Sequence, residues 1–419
     1  MSKKPLTLTT PPAFQCYDCQ ACGACCRGRF AIIISRADRN RLEAQGWSAD
    51  ELGLGDQPLY TRAPGGFQLA HRADGACVFL DEAGRCRIHA RFGEPAKPLA
   101  CRLYPFRFVP LGSQVRIDVR FDCPSTSENF GHPIPSYRNS LLGLMSQVVP
   151  EGQTDAMPVP PLYGRVTASW AQLSRLTETF ERVLMTDSLD LTRRVLCGVT
   201  LSALLRSPRV LTLEGRKLSD FLEQVSGKIV DAAREDTLPC VAPPAMVRMA
   251  FRQWLGVYGR HDRVGEAAAP LQRLRHAVRM LVGRGLLPPL HAELPAVPFA
   301  EIEQSHWSPT GDAAATLERY LHFRLVSMGF FGRSFYGRSY LDGMNALLLT
   351  YPLVCWLARA YALGRGLAAP DAACVAQAVR TVDHQHGITP LLDLPSERIR
   401  ANFLCDRSHL RALTIWYGM

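Results

Sequence analysis

Five cysteines fall within eleven positions near the start of the chain, reading C-YD-C-QA-C-GA-C-C at Cys16, Cys19, Cys22, Cys25 and Cys26. Thiols two residues apart meet at one point when the backbone turns tightly, the spacing from which zinc knuckles and iron–sulfur sites are built. Four more follow at Cys77, Cys86, Cys101 and Cys123, so nine of the fourteen cysteines lie in the first 123 of 419 residues. Nine thiols exceed the needs of one tetrahedral zinc and suffice for two four-ligand centres.

The opening MSKKPLTLTTPPAF has no apolar leader, which places the expected location in the cytoplasm. In a reducing compartment such a cluster points to metal or redox chemistry, not to a disulfide framework. The formal charge is +10. Metal-bound thiolates, absent from that count, would offset much of it, and Arg27, Arg29, Arg102 and Arg107 flank the cysteines. The basic balance therefore argues for cluster neutralisation and against a nucleic-acid partner. The apolar run from Gly343 to Gly364 carries Asn345, Pro352 and Arg359, so it is expected to be a core helix kinked or broken near Pro352 and not a transmembrane segment.

The patterning predicts an α+β chain: a small cysteine-rich metal domain over residues 1–130, then a larger, mostly helical domain over 136–419, with a sub-boundary near 288–298. Phe30–Ser35 reads as a buried strand. Ser35 with Asp38 signals a capped helix that stops at Gly46, and FQLA reads as a short strand. Val115, Ile117, Val119 and Phe121 alternate on one strand face that delivers Cys123. Prolines 124, 133 and 135 mark the boundary, after which apolar residues recur at helical spacing.

Cys16, Cys19, Cys22 and Cys26 fit C-x2-C-x2-C-x3-C, with Cys25 as a further candidate. Cys77, Cys86 and Cys101, with His89 beside Cys86, form a second block, and Cys123 precedes Pro124. All nine are candidate metal ligands. The expected cofactor is an iron–sulfur cluster, the 4Fe-4S form favoured, or zinc. Catalytic residues are not legible. No glycine-rich nucleotide loop is found, since GVYGRHDRVGE lacks the spacing. His384 and His386 beside Asp383 read as a solvated helix end, Cys405 and His409 as one helix face, and FFGRSFYGRSY as a loop between helices whose arginines suit a phosphate or carboxylate. Cys197, Cys240, Cys355, Cys374 and Cys405 stand singly in helical text and read mostly as core residues.

Cys22-Gly23-x-Cys25-Cys26, Cys77-x-Phe79-Leu80, Cys86-x-Ile88 and Cys101-Arg102-x-Tyr104-Pro105 resemble the YkgJ-type cysteine-cluster family of zinc or iron chelators over the first third of the chain. Gly93, Glu94, Pro95, Leu99, Cys101, Arg102, Tyr104 and Pro105, with a helical region behind them, are similar in plan to flagellin lysine-N-methylases. That resemblance implies a metal centre, S-adenosylmethionine as methyl donor and a protein substrate such as flagellin. The other expectation is a non-enzymatic interaction protein with a structural metal.

Overall fold

The computed structural model describes residues 6–27, 31–149, 158–260 and 270–419. Arg29, Phe30 and part of GVYGRHDRVGE lie outside them. The fold is α+β, with short strands and the cysteines first and long helices after.

Two apolar cores form. The smaller gathers Ile34, Leu42, Leu52, Leu69, Val78, Phe79 and Ile88, with Cys77 buried among them. Around it lies an antiparallel sheet of Ile33–Ile34, Gly66–Leu69 and Tyr60–Ala63, with Gly66–Leu69 in the centre. Glycine is required at 66, because a Cβ there would stand 2.3 Å from the Ile34 carbonyl oxygen. The predicted helix is Arg36–Ala44. Ser35 accepts the Asp38 N–H at 3.0 Å while the Asp38 carboxylate accepts the Ser35 N–H at 3.2 Å. Asp38 also accepts the Leu99 N–H at 3.1 Å, tying this cap to the helix Leu99–Leu103 that carries Cys101.

The larger core is helical but takes in a hairpin. Phe106–Leu111 pairs antiparallel with Gln114–Val119, and Thr7–Leu8 runs parallel to the latter. Val115, Ile117 and Val119 turn one face into the helical core, as their alternation predicts. The opposite face holds Arg116 and Asp118, and the helix Gly311–Ser327 packs against this strand. Arg116 donates to the Val326 carbonyl at 2.6 Å. Asp118, 0% exposed, accepts from Arg324 at 2.5 Å. Arg324 also pairs with Asp383, whose other oxygen accepts the Phe121 N–H at 2.6 Å. Two buried carboxylates thus share one buried guanidinium, a geometry that holds buried charge only while every partner stays in place.

One expectation is narrowed here and two are corrected. The run containing Pro352 does not break; Tyr340–Gly364 is one helix, the single one long and apolar enough to cross a membrane among the described residues, and most of that stretch is buried within the protein. Its Arg359 is 1% exposed and donates to the Tyr417 carbonyl at 3.1 Å, so surrounding backbone replaces water. The His384–His386 segment is no solvated end: Asp383 is 0% and His386 4% exposed, and Tyr258 hydrogen-bonds His386 Nδ1 at 2.8 Å. Cys405 and His409 share no helix, because Pro395–Leu404 ends before Cys405 and Arg407–Gly418 starts anew. Cys197, Cys355, Cys374 and Cys405 are buried as expected, whereas Cys240 is exposed.

Candidate metal centre

The cysteine segments are positioned by close backbone contacts. Ala24–Arg27 is a single helical turn bearing Cys25 and Cys26. Before it stands Gly23 at φ +68°, where a Cβ would meet the Gly84 carbonyl oxygen at 2.9 Å and Leu80 Cδ1 at 3.1 Å. Only glycine lets the first cysteine segment lie this close to the second. The Cys77 N–H donates to the Cys26 carbonyl at 2.8 Å, fixing the two segments in register. Cys86 bridges Leu80 and begins the helix Arg87–Phe92, and Cys101 lies in Leu99–Leu103.

These segments enclose a cavity of about 650 Å³ onto which Cys19, Cys25, Cys26, Cys77, Cys86 and Cys101 open, with His89. Ile32, Leu69, Phe79 and Ile88 make its walls apolar, and Lys97, Tyr104 and Arg120 add polar groups. The sulfurs of Cys25 and Cys26 are 3.9 Å apart. Their hydrogen bond, with burial, pushes the Cys25 thiol well up. Burial pushes Cys77 and Cys101 up to about 12, and nearby thiols add to it.

The other three candidates lie outside this lining. Cys16 sits in the strand Cys16–Tyr17 paired with His132–Pro133, and its N–H donates to Asn129 at 2.7 Å. Cys22 is exposed, its carbonyl accepting from Arg27 at 3.3 Å. Cys123 is buried at the start of Pro124–Ser127, and its thiol is pushed up to about 11 by burial. Tyr17 joins the two positions, since Cys19, Cys25 and Cys123 all act on its hydroxyl, which burial raises most.

The donor set is soft, mostly sulfur, and suits zinc or iron over magnesium or calcium. Among the described residues, no three His, Cys, Asp or Glu side chains are drawn together tightly enough to hold an ion. The thiols ring the cavity.

Sequence reasoning missed what stands behind this wall. Tyr104 donates to Asp122 at 3.0 Å, Arg120 Nε donates to the same carboxylate at 3.1 Å, and His384 meets it at 3.3 Å. Burial works against the Asp122 charge, but Arg120 and His384 prevail and hold the carboxyl below its ordinary range. The cysteine cavity is thereby joined to the buried Arg324 network. The one sequence signal was Asp122, set beside Cys123 just past the alternating strand.

Residues 18–125 match the family model CxxCxxCC, described as "Putative zinc- or iron-chelating domain". No curated protein and no solved structure matches the chain. The spacing in the family's name is met by Cys19, Cys22, Cys25 and Cys26, and the matched stretch leaves Cys16 outside. This agrees with the position of Cys16 away from the cavity lining.

Proposed function

We propose that residues 18–125 hold a resident iron–sulfur cluster or zinc centre, and that the chain is a protein-lysine N-methyltransferase acting on a protein such as flagellin in the cytoplasm. The carrying observation is the convergence of six cysteines, from separated chain segments, and His89 on one cavity. Cys25, Cys26, Cys77, Cys86 and Cys101 would hold the metal. If only three of these thiols bound one metal, it would keep an open coordination position for a donor group. The chain's own share is enclosure: Ile32, Leu69, Phe79 and Ile88 exclude water and favour the neutral form of an incoming lysine amine. A cavity of about 650 Å³ leaves room beyond the metal for S-adenosylmethionine, in the size range of small-molecule sites.

One observation favours a second reading, a non-enzymatic protein stapled by zinc. The 3.9 Å between the Cys25 and Cys26 sulfurs is close to the edge, roughly 3.8 Å, of a tetrahedron with metal–sulfur bonds of about 2.3 Å. Metal and acid-labile sulfide analysis of anaerobically purified protein separates the two. Brown protein with iron and sulfide in equal amounts, transferring methyl groups to lysine and losing that turnover in Cys77→Ser, supports the enzyme. Colourless zinc protein without transfer leaves the staple.

A further inference from the structure

A second cavity, about 490 Å³, lies among the helices, and none of the nine N-terminal cysteines lines it. Its walls come from the hairpin strand Pro161–Tyr163, the helices Ala245–Tyr258, Tyr340–Gly364 and Pro395–Leu404, and the loop containing GRSFYGRSY. Its size lies in the range of small-molecule sites, roughly 300–1,000 Å³. Tyr163, Trp254, Tyr258 and Phe335 give it aromatic faces.

Its polar groups are unevenly satisfied. Arg206 is engaged by Asp342 at 3.1 Å and lies 4.7 Å from the Tyr163 ring centre. Arg338 differs: it donates to the Asn402 side chain at 3.0 Å, but no carboxylate pairs with it among the described residues. Its Nε, like that of Arg206, is buried without a hydrogen-bond partner among the described residues. The nearby Asp393 is already engaged by Arg398 at 2.6 Å. Burial, then Arg398, lower the Arg338 pKa, and Asp342 and Asp393, neither within ion-pair distance, offset this only in part. Trp254, 4% exposed, packs edge-on against Tyr258 with ring centres 5.9 Å apart, and the Tyr258 hydroxyl hydrogen-bonds His386 at 2.8 Å.

The loop presenting Arg338 is fixed in place. Tyr336 is held at φ +52°, in the left-handed region that non-glycine residues avoid. The Gly332 N–H donates to the Arg338 carbonyl at 2.9 Å, and the Tyr336 hydroxyl donates to the Thr389 carbonyl at 2.8 Å. Backbone strain kept by such contacts is characteristic of ligand-facing loops.

We propose that this cavity binds a small molecule combining a planar aromatic ring with an anionic group. The ring lies against Trp254 and Tyr258, and a carboxylate or phosphate meets Arg338. An anion supplies the missing partner, and the planar guanidinium takes either group through two parallel hydrogen bonds.

The test is calorimetry on the full chain with adenosine monophosphate and indole-3-acetate, each beside its neutral counterpart, adenosine and indole. At least one anion is expected to bind tenfold or more tightly than its neutral partner. Which one binds separates phosphate from carboxylate. Arg338→Gln, at a half-buried position and checked by an unchanged melting temperature, is expected to remove that advantage, and Arg338→Lys to restore part of it. Trp254→Phe is expected to abolish fluorescence quenching by the bound anion. Neither anion binding at millimolar concentration, equal affinity for charged and neutral forms, or an Arg338→Gln variant that binds like the parent each overturns the proposal.

Discussion

The two cores solve different problems. The helical core packs side chains from the hairpin and from helices throughout residues 170–418, including Trp356, Tyr351 and Phe251 at 1%, 0% and 0% exposure. The cysteine region has only a thin layer around Ile34, Leu69 and Phe79, and several of its candidate ligands remain open to solvent. Apolar burial stabilises by about 25 cal/mol per Å², so a layer this small contributes little against chain entropy. Small units of this kind need a staple. The difference teaches that a region packed this thinly has much to gain from a zinc or iron bound by its thiols.

Stripping metal from the loaded protein with a chelator and reductant is the strongest way to break the comparison. Structural metal contributes on the order of 10 kcal/mol in small domains. Hydrogen exchange is expected to accelerate by orders of magnitude across residues 31–103, with Tyr340–Gly364 still protected. Equal change in both regions would show that they are one stability unit.

Next is Arg324→Met, which leaves Asp383 buried without its ion-pair partner and Asp118 with only Arg107, at 3.6 Å. Denaturant unfolding is expected to show a loss of about 3–5 kcal/mol. Adding Asp118→Asn and Asp383→Asn should recover part of it; if the triple variant is no better than the single one, the charge argument fails.

Acid sharpens the contrast from the helical side. Burial, then the Arg324 and Arg107 charges, lower the His386 pKa from 6.5 to about 3. The unfolded chain therefore binds a proton below pH 6.5 that the folded chain refuses down to about 3. The stability contribution is complete above pH 6.5 and declines as pH falls through that window, by ~1.4 kcal/mol per unit. A pH series of melting curves should flatten in His386→Gln; an unchanged acid limb would reject this assignment.

The smallest effect is Ser35→Ala. Losing the cap should cost about 1 kcal/mol, confined to the cysteine region, whose Asp38 it orders. Protection of Arg36–Ala44 is the readout.

Much of this was written plainly in the sequence. The Ser35–Asp38 cap, the alternation from Val115 and the helical spacing after Trp170 are local patterns, and each appears where expected. The cysteine blocks were visible as donors, but spacing alone does not reveal which thiols share a wall. Spacing put Cys16 in the C-x2-C-x2-C-x3-C set and left Cys25 as the further candidate, yet strand pairing with Pro133 carries Cys16 elsewhere while Cys25 lines the cavity. Asp118 and Asp383 were harder still. Alternation puts Asp118 on the face opposite Val115, Ile117 and Val119, and packing of the Gly311–Ser327 helix over that face turns it into a buried ion pair. Arg338 was noticed, yet its missing carboxylate is a property of three-dimensional neighbours.

The hairpin Phe106–Leu111 and Gln114–Val119 also sets an order of events. Its partners come late in the chain: Asp118 waits for Arg324, 206 residues on, and Phe121 for Asp383, 262 residues on. A ribosome finishes the cysteine segments long before it makes the helices that cover the hairpin. During that interval the nascent thiols and the apolar strand face are both exposed, and closing so long a loop is slow. Metal delivered early would therefore meet ligands whose last, Cys101, stands just before a hairpin not yet seated. Loading and the completion of synthesis become linked, and a cell short of metal or slow in elongation would accumulate this protein in a form prone to oxidation and aggregation.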